Sequence, residues 1–286
     1  MLSSGPALGF GAALTWGLVD VTVAVLTRRA SPIAVTLAVH GTGVVVLCGL
    51  ALALGETADV SASHWVALVV LSPVAGLAYL TFYRALGLGP VAIVSPIASA
   101  NGVLVVALAV LVLGEPLSLL QAAGAAMVLV GAGATAMQAG ERGRGATGPG
   151  GPRLAAIASV AFGGYLFGLV LLVEDLGWLL PILLTRTGGL VVLVALSARR
   201  RAASRLGPRA MAVATVAGAF EVAGYLLFNR GAEIGEAATT TAAAAAYPLV
   251  PTLYGLLAFG ERLAPHQAAG VAGVLGGMIL LSLGQP

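Results

Sequence analysis

Two copies of one short motif decide how this chain folds. Residues 114–124 read GEPLSLLQAAG and residues 260–270 read GERLAPHQAAG, which are identical at seven of eleven positions. A second pair has the same offset of 146 residues: YLTFYRALGLG at 79–89 and YLLFNRGAEIG at 225–235, identical at five positions. Chance similarity between apolar segments would not preserve the polar residues that these pairs share. The chain therefore contains an internal repeat.

The composition around these motifs is that of a membrane protein. Of 286 residues, 59% are hydrophobic and only 9% are charged, whereas soluble domains carry about 25% charged residues. The mean hydropathy is +1.03. Apolar runs of about 20 residues, the length that crosses a bilayer, predict ten spans near 5–26, 32–54, 64–86, 91–113, 117–138, 153–174, 178–198, 210–231, 237–259 and 264–283.

The repeat divides the chain into two halves of five spans each. We predict a first repeat at 1–138, a flexible linker at 139–152 whose sequence AGERGRGATGPGGP is rich in glycine and charge, and a second repeat at 153–286. Because five is odd, the second repeat must enter the membrane from the opposite side. The predicted fold is an all-α polytopic membrane protein with ten transmembrane helices as two inverted five-helix repeats, as in secondary transporters.

Several functional classes are disfavoured by residue types that are missing from the sequence. All 14 basic residues are arginine, so the chain has neither a Walker lysine nor a lysine for a Schiff base. Cys48 is the single cysteine, which excludes an internal disulfide and a cysteine-rich metal site. The arginines are spread over five loops without stacking aromatics, unlike a nucleic-acid interface. We predict no cofactor, no metal and no nucleic-acid partner.

Four short segments resemble one family of membrane transporters. WGLVD at 16–20, FYRALGLGPVAIVSP at 82–96, LGEPLS at 113–118 and FGERLAP at 259–265 are similar to the EamA-type family of the drug/metabolite transporter superfamily. The resemblance covers essentially the whole chain. It implies a ten-helix, multi-pass carrier in the cell (plasma or inner) membrane that exports or exchanges small metabolites, and it does not imply one substrate.

Ionisable side chains at membrane depth are candidates for function because each costs at least about 2.5 kcal/mol to bury there. Four such residues fall inside predicted spans: Asp20, His40, Arg186 and Glu221. At 1.5 Å per residue, Asp20 and His40 lie at similar depths, and so do Arg186 and Glu221. We therefore predict two pairs lining a substrate path, with Asp20 or Glu221 exchanging a proton. The alternative is that both pairs only fix helix packing.

Polar and aromatic residues within the spans complete the predicted substrate site. Trp16, Tyr79, Asn101, Tyr225 and Tyr247 lie away from the expected interfacial belts. For each one, ordinary core packing is the competing interpretation, and the equivalent positions of Tyr79 and Tyr225 in the two repeats favour a shared site. The repeated acidic residues Glu115 and Glu261 lie at tight turns between spans, where we expect capping rather than chemistry.

The sequence thus predicts a secondary transporter, not an enzyme, that exports small metabolites such as amino acids by alternating access. A lipid-handling flippase or a non-transporting membrane subunit is the alternative. Proton coupling and facilitated diffusion both fit the sequence, as do a monomer and a homodimer. Twelve of 14 arginines lie in or beside odd-numbered loops, which places both termini outside the cytoplasm, whereas the family resemblance implies the reverse.

Overall fold

The computed structural model describes residues 5–57, 59–114, 118–137, 150–200, 206–231, 240 and 243–283. Within these residues all regular secondary structure is helical. The helices are α1 Gly5–Thr27, α2 Pro32–Leu54, α3 Ala62–Leu88, α4 Val91–Ser99, α5 Asn101–Leu108, α6 Leu119–Ala136, α7 Gly150–Leu176, α8 Leu179–Arg200, α9 Pro208–Gly231, α10 Leu249–Leu257 and α11 Pro265–Leu283.

The fold is the predicted polytopic helical architecture. Eight segments of the described chain are long and apolar enough to cross a membrane, and the fourth of them combines α4, α5 and the π-helical turn Ala109–Leu113. The remaining two predicted spans correspond to α10 and α11. Residues 115–117 and 138–149, which include Glu115 and most of the predicted linker, lie outside the described residues.

The repeated glutamines have the same local role in both halves, at the start of α6 and α11. Gln121 forms a capping box with Ser118, whose backbone N–H donates to the Gln121 side-chain oxygen at 2.9 Å. The equivalent Gln267 accepts from the backbone N–H of Ala264 at 3.0 Å. Each side chain satisfies a backbone donor that the first helical turn leaves free, so part of the repeated motif serves to begin a helix.

Packing between the halves follows a pseudo-twofold relation. Helix α1 packs on α9, and the equivalent helices α7 and α3 also pack together. The contact between α3 and α8 is likewise repeated by that between α9 and α2. Helices α6 and α11, which are equivalent to each other, form the most extensive contact among the described helices.

The crossing of α6 and α11 shows that the two repeats are inverted. A Cβ on Gly124, early in α6, would lie 2.8 Å from the carbonyl oxygen of Gly277, late in α11. A Cβ on Gly131, late in α6, would lie 2.6 Å from the carbonyl oxygen of Gly270, early in α11. Equivalent helices that cross in this order run antiparallel, and only glycine allows the backbones to come so close.

Both fourth spans of the repeats are interrupted, although the apolar runs at 91–113 and 237–259 that predicted them are continuous in the sequence. The helix of the first repeat breaks at Ala100, between α4 and α5. In the second repeat a turn at residues 245–248 precedes α10, and Ala246, the equivalent of Ala100, lies within it. Pro248 lies in the turn of the second repeat and removes a backbone donor there, whereas Pro96 lies inside α4, four residues before the break at Ala100.

Candidate functional site

An ion pair between the second and third helices of the second repeat lies in the interior of the bundle. The Arg186 Nη2 atom on α8 donates to Glu221 Oε2 on α9 at 2.5 Å. Arg186 is 1% exposed and Glu221 5%. The structure thus brings together one of the two pairs that equal depth predicted, and it holds the pair away from solvent.

Aromatic rings from both repeats form a cluster next to the arginine. The guanidinium carbon of Arg186 lies 5.2 Å from the centre of the Tyr79 ring on α3. The hydroxyls of Tyr79 and its equivalent Tyr225 are 3.2 Å apart, so the pseudo-twofold axis passes between them. His40 packs edge-on against Tyr79, with ring centres 5.1 Å apart. The positive charge of Arg186 therefore lies next to aromatic rings, whose faces stabilise cations.

Trp16 on α1 joins this cluster to the glutamate side of the ion pair. Its indole Nε1–H donates to the backbone carbonyl of Glu221 at 3.3 Å. Its ring contacts Tyr225 and Tyr247 at centre-to-centre distances of 5.4 and 6.3 Å. The close approach of α1 and α9 relies on Gly224, where an added Cβ would lie 2.4 Å from the indole nitrogen.

The predicted contact between Asp20 and His40 is wrong. Asp20 instead accepts a hydrogen bond from the hydroxyl of Ser95 on α4 at 3.3 Å. Neither ring nitrogen of His40 makes a hydrogen bond of good geometry within the described residues, and the ring lies beside the Arg186 backbone. The rise per residue predicted that the two residues lie at the same depth in the membrane. It does not predict the rotation of each helix about its axis, which decides the side chains that each residue faces.

Asn101 and Tyr247 occupy equivalent positions, 146 residues apart, at the interruptions of the two fourth spans. The Asn101 amide donates to the carbonyl of Ala98 in its own span at 3.0 Å. Among the described residues, no hydrogen bond or ring contact connects Asn101 to the arginine cluster. Tyr247 does reach that cluster, through Trp16.

The ion pair leaves polar groups available at the centre of the protein. Arg186 Nε and Nη1, together with both nitrogens of His40, are buried without a hydrogen-bond partner in the described part of the chain. A Cβ on Gly43 would lie 3.1 Å from Arg186 Nη1, so this glycine on α2 borders the guanidinium. Buried donors of this kind ordinarily have a partner, which makes the edge of Arg186 facing α2 the part best suited to bind a polar ligand.

Two contacts were not predicted from the sequence. Ser95, which binds Asp20, is fully buried, and a hydroxyl beside the span proline Pro96 is the only signal that could have indicated it. Gly43 borders Arg186, and its equivalent Gly189 packs against the α3 backbone at Ser72 and Gly76. A glycine retained at both copies, 146 residues apart, was a signal available in the sequence.

The inverted repeats and the buried polar cluster between them define a class: an α-helical integral membrane protein with the architecture of secondary transporters. The chain belongs to the EamA-like transporter family, because the sequence profile of that family matches residues 3–137 and again residues 151–283. This membership confirms the predicted family resemblance and identifies a membrane transporter of the drug/metabolite type. No curated protein sequence matches the chain.

The fold is also found among solved structures. One crystal structure of a protein superposes on this chain with a TM-score of 0.69, and the match covers 99% of both chains. The sequences are 20% identical. At this identity the likeness concerns the fold alone.

Proposed function

We propose that this protein is a secondary transporter in the cell membrane that exports small zwitterionic metabolites, such as amino acids, by alternating access. The observation that carries the proposal is the buried Arg186–Glu221 pair, whose arginine has two donors without a partner among the described residues. The proposed site consists of this pair with His40, Tyr79 and Tyr225, and with Trp16, Asp20, Asn101 and Tyr247 around it.

The chemistry of the cluster suits a ligand with opposite charges at its two ends. A carboxylate accepts charge-assisted hydrogen bonds from a guanidinium. Arg186 Nη1, beside Gly43 of α2, and Nε, on the other side of the group, have no hydrogen-bond partner among the described residues. An ammonium group is stabilised by a carboxylate and by the faces of aromatic rings, which Glu221, Trp16 and Tyr225 supply. A ligand bound in this way would satisfy both buried charges.

The architecture supports alternating access around this site. Asp20, His40, Arg186 and Glu221 are between 1% and 6% exposed, so the proposed site is closed to solvent in this structure. The helix breaks at Ala100 and residues 245–248 lie at equivalent positions of the two repeats, as in transporters whose discontinuous helices flank the substrate. Movement about these breaks would open the site to one side at a time.

Thermal stabilisation of the purified protein by candidate ligands tests the substrate class. We expect free amino acids to raise the melting temperature, and their amidated and N-acetylated analogues, each lacking one charge, to have no effect. Arg186→Gln should abolish the stabilisation, whereas Arg84→Gln, which removes an exposed arginine, should retain it. Equal stabilisation by the analogues would contradict the zwitterion proposal.

We further propose that Glu221 or Asp20 carries a proton during export. In vesicles containing the purified protein, a proton gradient should drive substrate accumulation, and collapsing the gradient should abolish it. Accumulation that is unchanged after collapse would show a facilitator instead.

A further inference from the structure

Two adjoining pockets lie along the lipid-facing junction of α1 and α9, outside the central site. At one end is a pocket of about 660 Å³ lined by residues that include Arg28, Arg29 and Arg209. Next to it is a pocket of about 380 Å³ lined by residues that include Leu18, Val216 and Phe220. Val213 lines both pockets, which therefore adjoin, and the two together are called the groove below.

The wide end of the groove is basic. Arg28 is engaged by Glu261 at 2.8 Å and by the Phe259 ring at 3.7 Å. Arg29 and Arg209 are exposed and form no ion pair with any other described residue. Two exposed positive charges therefore face this pocket without a counter-charge from the described protein.

The two ends of the groove match the layers of a bilayer. Arg29 follows the end of α1 at Thr27, and Arg209 is the second residue of α9, so both lie at the membrane surface. Leu18 lies nine residues before Thr27, about 13 Å deeper along the helix. In the smaller pocket, which is the narrow part of the groove, the side chains of Leu18, Val216 and Phe220 are 43 to 56% exposed. They present an apolar surface to the hydrocarbon layer of the bilayer.

We propose that this groove binds an anionic phospholipid. The phosphate lies between Arg29 and Arg209, and one acyl chain lies along Leu18, Val213 and Phe220. Basic pockets between transmembrane helices bind acidic headgroups, and the apolar part of the groove gives the attached acyl chain a surface within the hydrocarbon layer. A soluble anion would use only the basic end, and a headgroup being translocated would need polar groups along the narrow part, whose exposed lining is almost entirely apolar.

Native mass spectrometry of the detergent-purified protein tests the proposal. The protein is titrated with phosphatidylglycerol or with phosphatidylcholine of the same acyl chains. We expect phosphatidylglycerol to be retained preferentially. Arg29→Gln/Arg209→Gln should weaken its binding about thirty-fold, as expected for two arginines at a charged surface. The matched pair Arg84→Gln/Arg199→Gln removes two exposed arginines elsewhere and should bind as the wild type does.

A second variant separates the acyl chain from the headgroup. Val213→Trp fills the groove without changing charge and should reduce phosphatidylglycerol retention at least about fivefold, whereas Val191→Trp on the exposed face of α8 should not. Glycerol phosphate should fail to compete. Any one of three results would overturn the lipid site. These are equal phosphatidylglycerol retention by the two double arginine variants, retention unchanged by Val213→Trp, or full competition by glycerol phosphate.

Discussion

At the scale of single residues, the Arg186–Glu221 pair is the feature that a merely structural account explains least well. Two charges lose their hydration when they are buried, and their mutual attraction often fails to repay that cost. Well-packed apolar residues would stabilise the same position equally well. Two nitrogens of Arg186 that have no partner in the described part of the chain add to this cost. Ligand binding provides a reason for both charges to be retained.

Neutralising one partner should destabilise the protein more than neutralising both. Arg186→Gln and Glu221→Gln each leave an unpaired buried charge, a loss of about 3–5 kcal/mol, while the double variant leaves none. We expect the melting temperature to fall in each single variant and to recover largely in the double variant, with transport lost in all three. A well-folded double variant that transports at the wild-type rate would limit the pair to packing.

At the scale of elements, the helix ends and crossings depend on residues supplied by the opposite repeat. Glu261 accepts hydrogen bonds from the backbone N–H groups of Val91 and Ala92 at 3.0 and 2.9 Å, and it also binds Arg28. The predicted capping role of Glu261 is confirmed, although the helix that it caps is α4 of the first repeat. The carboxylate therefore holds the start of an interrupted span and the end of α1 together.

Helix α6 offers a matched pair of glycines that tests the inverted crossing. A Cβ on Gly131 would lie 2.6 Å from the Gly270 carbonyl and 2.7 Å from the Val274 nitrogen, while one on Gly133 would meet no described atom within 4 Å. Gly131→Ala should therefore cost about 1–3 kcal/mol of overpacking and lower the melting temperature. Gly133→Ala gains the same helix propensity without a clash. Equal stability of the two variants would argue against this crossing.

At the scale of the whole molecule, the pseudo-twofold relation determines where the site forms. Each repeat contributes one of the two equivalent tyrosines, Tyr79 and Tyr225, and one of the two equivalent basic residues, His40 and Arg186. Because the repeats are inverted, these groups approach the middle of the membrane from opposite surfaces. The cluster is asymmetric in charge, since Glu221 corresponds to Ala75 in the first repeat.

Inversion also predicts which loops face each side of the membrane. In a Cys48→Ser background, single cysteines at Thr57 and Gly207 occupy the loops after the second helix of each repeat. A membrane-impermeant maleimide applied to intact cells should label only one of them, and the arginine distribution predicts that this is Thr57→Cys. Labelling of Gly207→Cys alone would reverse the orientation, and labelling of both would contradict the inverted repeats.

The sequence by itself determined the class of fold. Hydropathy and the 146-residue offset depend only on which residues follow one another, so the spans, the repeat and its inversion could be predicted without coordinates. Depth along a helix follows from the rise per residue, and this predicted the meeting of Arg186 with Glu221.

Only the tertiary structure decided which side chains face one another across the bundle. The rotation of each helix about its axis depends on packing between the two halves, for instance at Gly43, Gly131 and Gly224, whose partners lie more than 100 residues away in the sequence. Depth alone therefore paired Asp20 with His40, whereas packing turned Asp20 towards Ser95 and placed His40 beside Arg186.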